Sequence, residues 1–160
     1  MIAGGSTIYC LDIERPSQVL PKRIDAYLGG GERADILCFD ASTEKIVASP
    51  VEMVQLVSNE EDYVEIEIEK RIKLRLLPTA LVLTRFGFKL ADTLAPPMEI
   101  VGLPKGTELY DQFLFVYPKP SLYRVTAPAK AAGAERMFGI TLPVPCCVVD
   151  GMVVKATEID

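Results

Sequence analysis

Between Val64 and Leu76 apolar and charged side chains alternate, interrupted only at Lys70, and that alternation admits little besides β-structure. Val64, Ile66, Ile68, Ile72, Leu74 and Leu76 hold the even positions. Glu65, Glu67, Glu69, Arg71, Lys73 and Arg75 hold the odd ones. Successive side chains of a strand point to opposite faces, so period two puts the apolar set on one face and the charges on the other. The acidic half also precedes the basic half. Folding the chain back around Lys70 sets Glu67 opposite Lys73 and Glu65 opposite Arg75, with Ile and Leu pairs behind them. The order of charge predicts a hairpin rather than one long strand.

Short runs rich in β-branched and aromatic residues predict further strands. They lie at Thr7–Leu11, Ile36–Phe39, Ile46–Ala48, Val51–Val57, Ala80–Thr84, Phe113–Tyr117, Arg136–Leu142, Cys147–Val149 and Met152–Val154. One helix is expected: Pro21 suits a first turn, Ile24, Tyr27 and Leu28 share a face, and Gly29-Gly30-Gly31 ends it. Prolines between Leu103 and Glu135, with the small-residue run Ala127–Ala134, predict a surface excursion in that stretch. No repeat with a period of roughly 20–50 residues is apparent. The expectation is a single all-β domain over residues 1–160 with one short helix.

Composition removes several classes of function. The chain carries a net charge of −5 and no basic cluster longer than a pair such as Lys70-Arg71, so a dedicated nucleic-acid surface is not expected. No apolar run approaches the ~18 residues that span a bilayer, and no secretory signal opens the chain, so a cytoplasmic protein without a membrane partner is expected. Cys10, Cys38, Cys146 and Cys147 form no CxxC pair, and histidine is absent. A zinc site is therefore not expected, nor is any other metal or cofactor. Without imidazole there is no Ser-His-Asp or Cys-His relay and no general base tuned near neutrality. The thiols are expected to be free and buried.

Three lesser motifs have bland readings. The glycines at 29–31 follow a helix rather than feed one, unlike a phosphate loop. Asn59-Glu60-Glu61-Asp62 lacks the alternating oxygen ligands of a calcium loop and reads as a solvated turn. Adjacent Cys146 and Cys147 on a strand would face opposite ways, so at most one could serve any site.

Three segments, in order and at matching separations, carry a resemblance. The chain opens Met1-Ile2-Ala3-Gly4-Gly5-Ser6-Thr7-Ile8-Tyr9. Its middle runs from Leu76-Leu77-Pro78-Thr79-Ala80 through Val82-Leu83-Thr84 and Gly87 to Ala91-Asp92-Thr93-Leu94. Late in the chain stand Phe138-Gly139-Ile140-Thr141-Leu142 and Cys146 through Thr157. Together they resemble the splicing motifs of inteins, with Leu103–Glu135 where many inteins carry an endonuclease or linker. The resemblance implies a mini-intein: a Hint-type horseshoe of curved antiparallel strands whose two ends meet in one site.

It also implies a chemistry, autocatalytic and single-turnover, acting on the flanking host (extein) segments in cis. A Cys, Ser or Ala begins such a domain, a mid-chain His three residues after a Thr helps activate the upstream bond, and an Asn, usually after a His, ends it. A Cys, Ser or Thr then opens the downstream flank. Proximity of the two ends supplies much of the rate. Here Met1 takes the nucleophile position, leaving nothing upstream to splice, and Leu77 and Ala80 take those of Thr and His. Lys155 and Ala156 replace the final His-Asn. Gly139 stands at an acidic position, and Pro97-Met98 at a frequent Gly-Asp pair. Thr157 matches the downstream nucleophile, so residues 157–160 read as flank, and Cys146 lies where a late His is common. The implied activity is protein splicing, lost in this chain. Alanine at 80 and 156 is what an engineered trap would carry; Leu77, Gly139 and Pro97-Met98 fit natural decay. A non-catalytic β-sandwich or barrel binding module, or a decayed Hint scaffold, remain the alternatives.

Overall fold

The computed structural model describes residues 2–11, 19–29, 35–105 and 119–155. The alternating stretch forms the hairpin its charges predict. Strands β6 (Met53–Ile68) and β7 (Ile72–Leu76) pair Glu65 with Arg75, Ile66 with Leu74 and Glu67 with Lys73. Glu69 and Lys70 turn it with positive φ angles of 54° and 61°. Ile66, Ile68, Leu74 and Leu76 are fully buried on one face. On the other, Lys73 meets Glu67 at 3.0 Å and Arg75 meets Glu65 at 3.4 Å.

Strand β6 is longer than its sequence suggests. Met53–Val57 of the expected strand and the hairpin's first arm are parts of one 16-residue strand, and Asn59–Asp62 is strand rather than turn. Its partner is β12 (Lys130–Thr141), which takes in much of the small-residue run expected to leave the sheet. Both strands are largely exposed along this ribbon, so Glu60, Glu61 and Asp62 keep their hydration while their main chain pairs. Period-two burial is missing there, which is why the sequence hid the strand. Register shifts near Ala131–Gly133 and Glu135–Phe138 bend the ribbon.

With β1 (Ile2–Ala3), which pairs with both β12 and β7, these strands close a four-stranded ring. Around it lies a ten-stranded sheet containing β2 (Thr7–Leu11), β3 (Val19–Arg23), β4 (Ile36–Asp40), β5 (Lys45–Ser49), β8 (Leu81–Thr84) and β9 (Gly87–Leu90). It also holds β10 (Glu99–Gly102), β11 (Ser121–Arg124), β13 (Cys146–Val149) and β14 (Met152–Lys155). The main core unites the ring's Ile66, Leu74, Leu76 and Phe138 with Ile8, Val82, Cys147 and Val154 of the sheet. All named pairings are antiparallel, as the hairpin pattern implies.

Helix α1 (Ile24–Gly29) starts later than expected, because Pro21 sits in β3 opposite Tyr9. Strand β3 ends the sheet order, where a residue without an N–H leaves no ladder bond unmade. Strands β9, β10 and β11 went unread in the sequence. The expected strand Phe113–Tyr117 lies outside the described residues, as do Gly30 and Gly31. The only helical elements among the described residues are α1 and a 3₁₀ turn at Ala91–Thr93.

Candidate functional site

The turn Leu77–Ala80 is where the two ends of the described chain converge. Strand β7 leads into it, and Leu76 at its end faces Ile2 of β1. Strand β8 leads out of it, and Val82 near its start faces Val154 of β14. Main-chain bonds hold the turn: Ala80 N–H donates to the Leu77 carbonyl (3.0 Å), and Ala91 N–H to the Ala80 carbonyl (2.8 Å). Asp92 N–H donates to the Pro78 carbonyl at 3.2 Å. Ile2 is fastened on its other side by Phe138 of β12. Gly4 then lets the chain turn against that strand, since a Cβ there would stand 2.9 Å from the Phe138 ring.

Apart from the exposed Thr79, the side chains of this turn are apolar. Leu77, which the sequence motif sets against a Thr, is 9% exposed and packs with Ala3, Tyr63 and Met137. Ala80, which the sequence motif sets against a His, is half-buried against the same cluster. Cys147 lies in the main core with Ile2 and Val154, and burial pushes its thiol up to about 12. Cys146 and Lys155 are direct cross-strand partners on β13 and β14. Burial raises the Cys146 thiol above its ordinary value, with the nearby Lys155 ammonium pulling the other way. Both thiols therefore stay protonated near neutral pH and are poor nucleophiles.

Of the residues singled out in the sequence, Ala80 lies on the turn and Lys155 on β14, which pairs with β8; Cys146 lies one strand further away, on β13, in a separate core cluster. Met1, Ala156 and Thr157, with the rest of the flank at 158–160, lie outside the described residues. Sequence reasoning missed Asp150. It occupies the tip of the β13–β14 hairpin with φ 50°, followed by Gly151 at φ 85°. Its carboxylate accepts the Thr7 N–H at 3.0 Å while its own N–H donates to the Thr7 carbonyl at 2.9 Å. Burial pushes its pKa up to about 6, and the Thr7 N–H and Arg75 oppose that rise. The Asp-Gly pair between two apolar strands was the available signal. A pocket of about 180 Å³ opens beside Phe86, Lys89, Pro97 and Met98, at the far end of β8 from the Leu77–Ala80 turn. It is not part of the convergence.

A ring of antiparallel strands joined to a curled sheet, with the first strand and the last brought to one turn, is the fold of protein-splicing domains. The chain is similar to the DnaB intein from Synechocystis sp. PCC 6803, with a TM-score of 0.77, 19% identity and 98% of each chain covered. It is likewise similar to the DnaX mini intein from Spirulina platensis (TM-score 0.71, 17% identity, 96% of this chain and 98% of that one). The transcription factor IIB Mvu mini-intein matches with the same TM-score and coverage at 15% identity. No protein-family model matches the sequence, and no curated protein does. The expected Hint fold is therefore present, and the sandwich alternative gives way to it.

Proposed function

We propose that this chain is a mini-intein by descent whose splicing chemistry has been lost. The observation that carries the reading is the convergence of Ile2, through Leu76, and Val154, through Val82, on the Leu77–Ala80 turn. Splicing needs both junctions handled in one place, because proximity replaces a bimolecular encounter. A binding module has no such need. The partners of the ancestral reaction are the flanking segments in cis.

Loss of the chemistry follows from what stands at each role. Met1 has no nucleophilic atom for an acyl shift, and Ala156 has no amide to cyclise. Thr157 alone could accept an acyl group, and nothing upstream would deliver one. Leu77 and Ala80 neither donate nor accept a proton through their side chains. Infilling of the turn by Tyr63 and Met137 around Leu77 favours natural decay over an engineered trap.

Fused between two reporter domains, the chain should run as one unspliced band after a day at mild pH. Losing one member of a catalytic unit removes most of its rate, so a second loss adds little. Ala156→Asn alone should release the downstream reporter slowly, because that step uses the Asn amide and its own carbonyl. Adding Met1→Cys should permit thiol-induced cleavage upstream, and Thr157→Ala should then abolish ligation while sparing both cleavages. A folded Ala156→Asn variant that releases nothing would refute descent from a splicing domain with a recoverable site.

A further inference from the structure

Strand β9 is the outer strand of the β8–β9 hairpin, and all four of its residues are exposed. Among the described residues no strand pairs with its other edge. Phe88 is 38% and Leu90 42% exposed, and Phe86 at the hairpin tip is 83% exposed. In a two-residue hairpin the flanking pair, here Thr84 and Gly87, exchanges hydrogen bonds. The main-chain groups of Gly87 and Lys89 then face β8, and those of Phe88 and Leu90 face outward. The Leu90 carbonyl already accepts the Thr93 hydroxyl at 2.7 Å. Phe88 N–H, Phe88 C=O and Leu90 N–H are left to meet a strand.

The side chains on this edge state what that strand should carry. Phe88 and Leu90 share a face with their cross-strand partners Leu83 and Leu81, forming an apolar strip. Lys89 points to the opposite face, beside the pocket walled by Phe86, Pro97 and Met98. Among the described residues it has no ion-pair partner, whereas neighbouring Arg85 is paired with Glu99 at 3.3 Å. An added strand would oppose Lys89 in a non-hydrogen-bonded pair, where facing side chains come closest. A second copy of this chain would set Lys89 against Lys89, a repulsive pairing that blunts edges against self-association.

We propose that the outer edge of β9 docks an extended peptide in which an acidic residue stands between two apolar ones. Its main chain pairs with Phe88 and Leu90, its apolar side chains extend the Phe88–Leu90 strip, and its carboxylate meets the Lys89 ammonium. This goes beyond the splicing reading and does not rest on it, since docking requires no bond to be cut.

The test uses two labelled decapeptides on the full chain, alike except for a Val-Glu-Val or a Val-Lys-Val centre. The Glu peptide should bind about five- to tenfold more tightly by fluorescence anisotropy, as expected when a favourable cross-strand charge pair becomes a repulsive one. Lys89→Glu, an exposed substitution the fold should tolerate, should invert that order. Amide signals of Gly87–Leu90 should shift on binding, and N-methylating the peptide amides that meet Phe88 should abolish it. Equal affinity for the two peptides, no binding of either, or shifts confined to other strands would overturn the proposal. So would a concentration-dependent dimer with β9 at its centre.

Discussion

The β6–β7 hairpin and the turn that follows it are continuous in sequence and opposite in chemistry. Up to Leu76 the chain keeps two faces, with Ile66 and Leu74 inside and the Glu65–Arg75 and Glu67–Lys73 pairs outside. From Leu77 to Thr84 no charge occurs, and Leu77 is packed by Ala3, Tyr63 and Met137. The first region is built to be stable. The second, which on the proposed reading once held the splicing site, presents hydrocarbon at Leu77 and Ala80. The main-chain bonds that fix the turn depend on none of these side chains.

Two substitutions test whether both regions now serve only stability. Ile66→Ala should destabilise the fold by roughly 2–5 kcal/mol, because Ile66 is fully buried against Leu74 and the core. Leu77→Thr, which restores the residue type a splicing site would carry, should cost about 1–3 kcal/mol. It removes apolar contact and buries a hydroxyl among Tyr63 and Met137. Urea denaturation measures both. A Leu77→Thr protein as stable as its parent would mean that the turn still accommodates a polar group, and would weaken the infilling argument.

The β13–β14 tip provides a pH-dependent contrast to the neutral turn. The Asp150 carboxyl is raised from 3.8 to about 6, chiefly by burial, so between those values the folded chain holds more protons than the unfolded one. Stability therefore falls as pH rises from about 4 to about 6 and stays lower above it. Asp150→Asn keeps the acceptor for the Thr7 N–H and suits the positive φ, since Asn-Gly is favoured in such turns. The variant should be more stable than the parent by roughly 1–3 kcal/mol at pH 7, with the gain vanishing near pH 4. Thermal melts of the two proteins across that range measure it. A gain that does not depend on pH would assign the effect to turn geometry alone.

Legibility in the sequence followed burial pattern. The hairpin register was readable to the residue because one face is buried and the other charged. The ribbon Met53–Asp62 was readable only as far as Val57, because both of its faces are exposed and carry no alternation. Pro21 misled in a similar way: its fixed φ suits a helix start and an edge strand equally, and only the pairing with Tyr9 decides. Motif order singled out the Leu77–Ala80 turn, on which the first strand and β14 converge. It could not show that Tyr63 and Met137, remote in sequence, close over Leu77. Asp150 escaped notice since a surface Asp-Gly turn and a buried one look alike in sequence.

The smallest expected effect bears on the charged face. Glu65 accepts Arg75 at 3.4 Å and approaches Lys73 at 3.9 Å, and Arg75 also reaches Glu135 at 3.9 Å. The Lys73 and Arg75 side chains are 42% and 45% exposed, so solvent screens these pairs. Glu65→Lys should therefore destabilise the hairpin by about 1 kcal/mol or less, and added salt should shrink the difference. The double variant Glu65→Lys, Arg75→Glu should recover most of the loss, because their cross-strand pairing is direct. Urea titrations at low and high salt supply the cycle. If Glu65→Lys instead matched Ile66→Ala, the charged face would be part of the core's support, and the division between the two faces of this hairpin would fail.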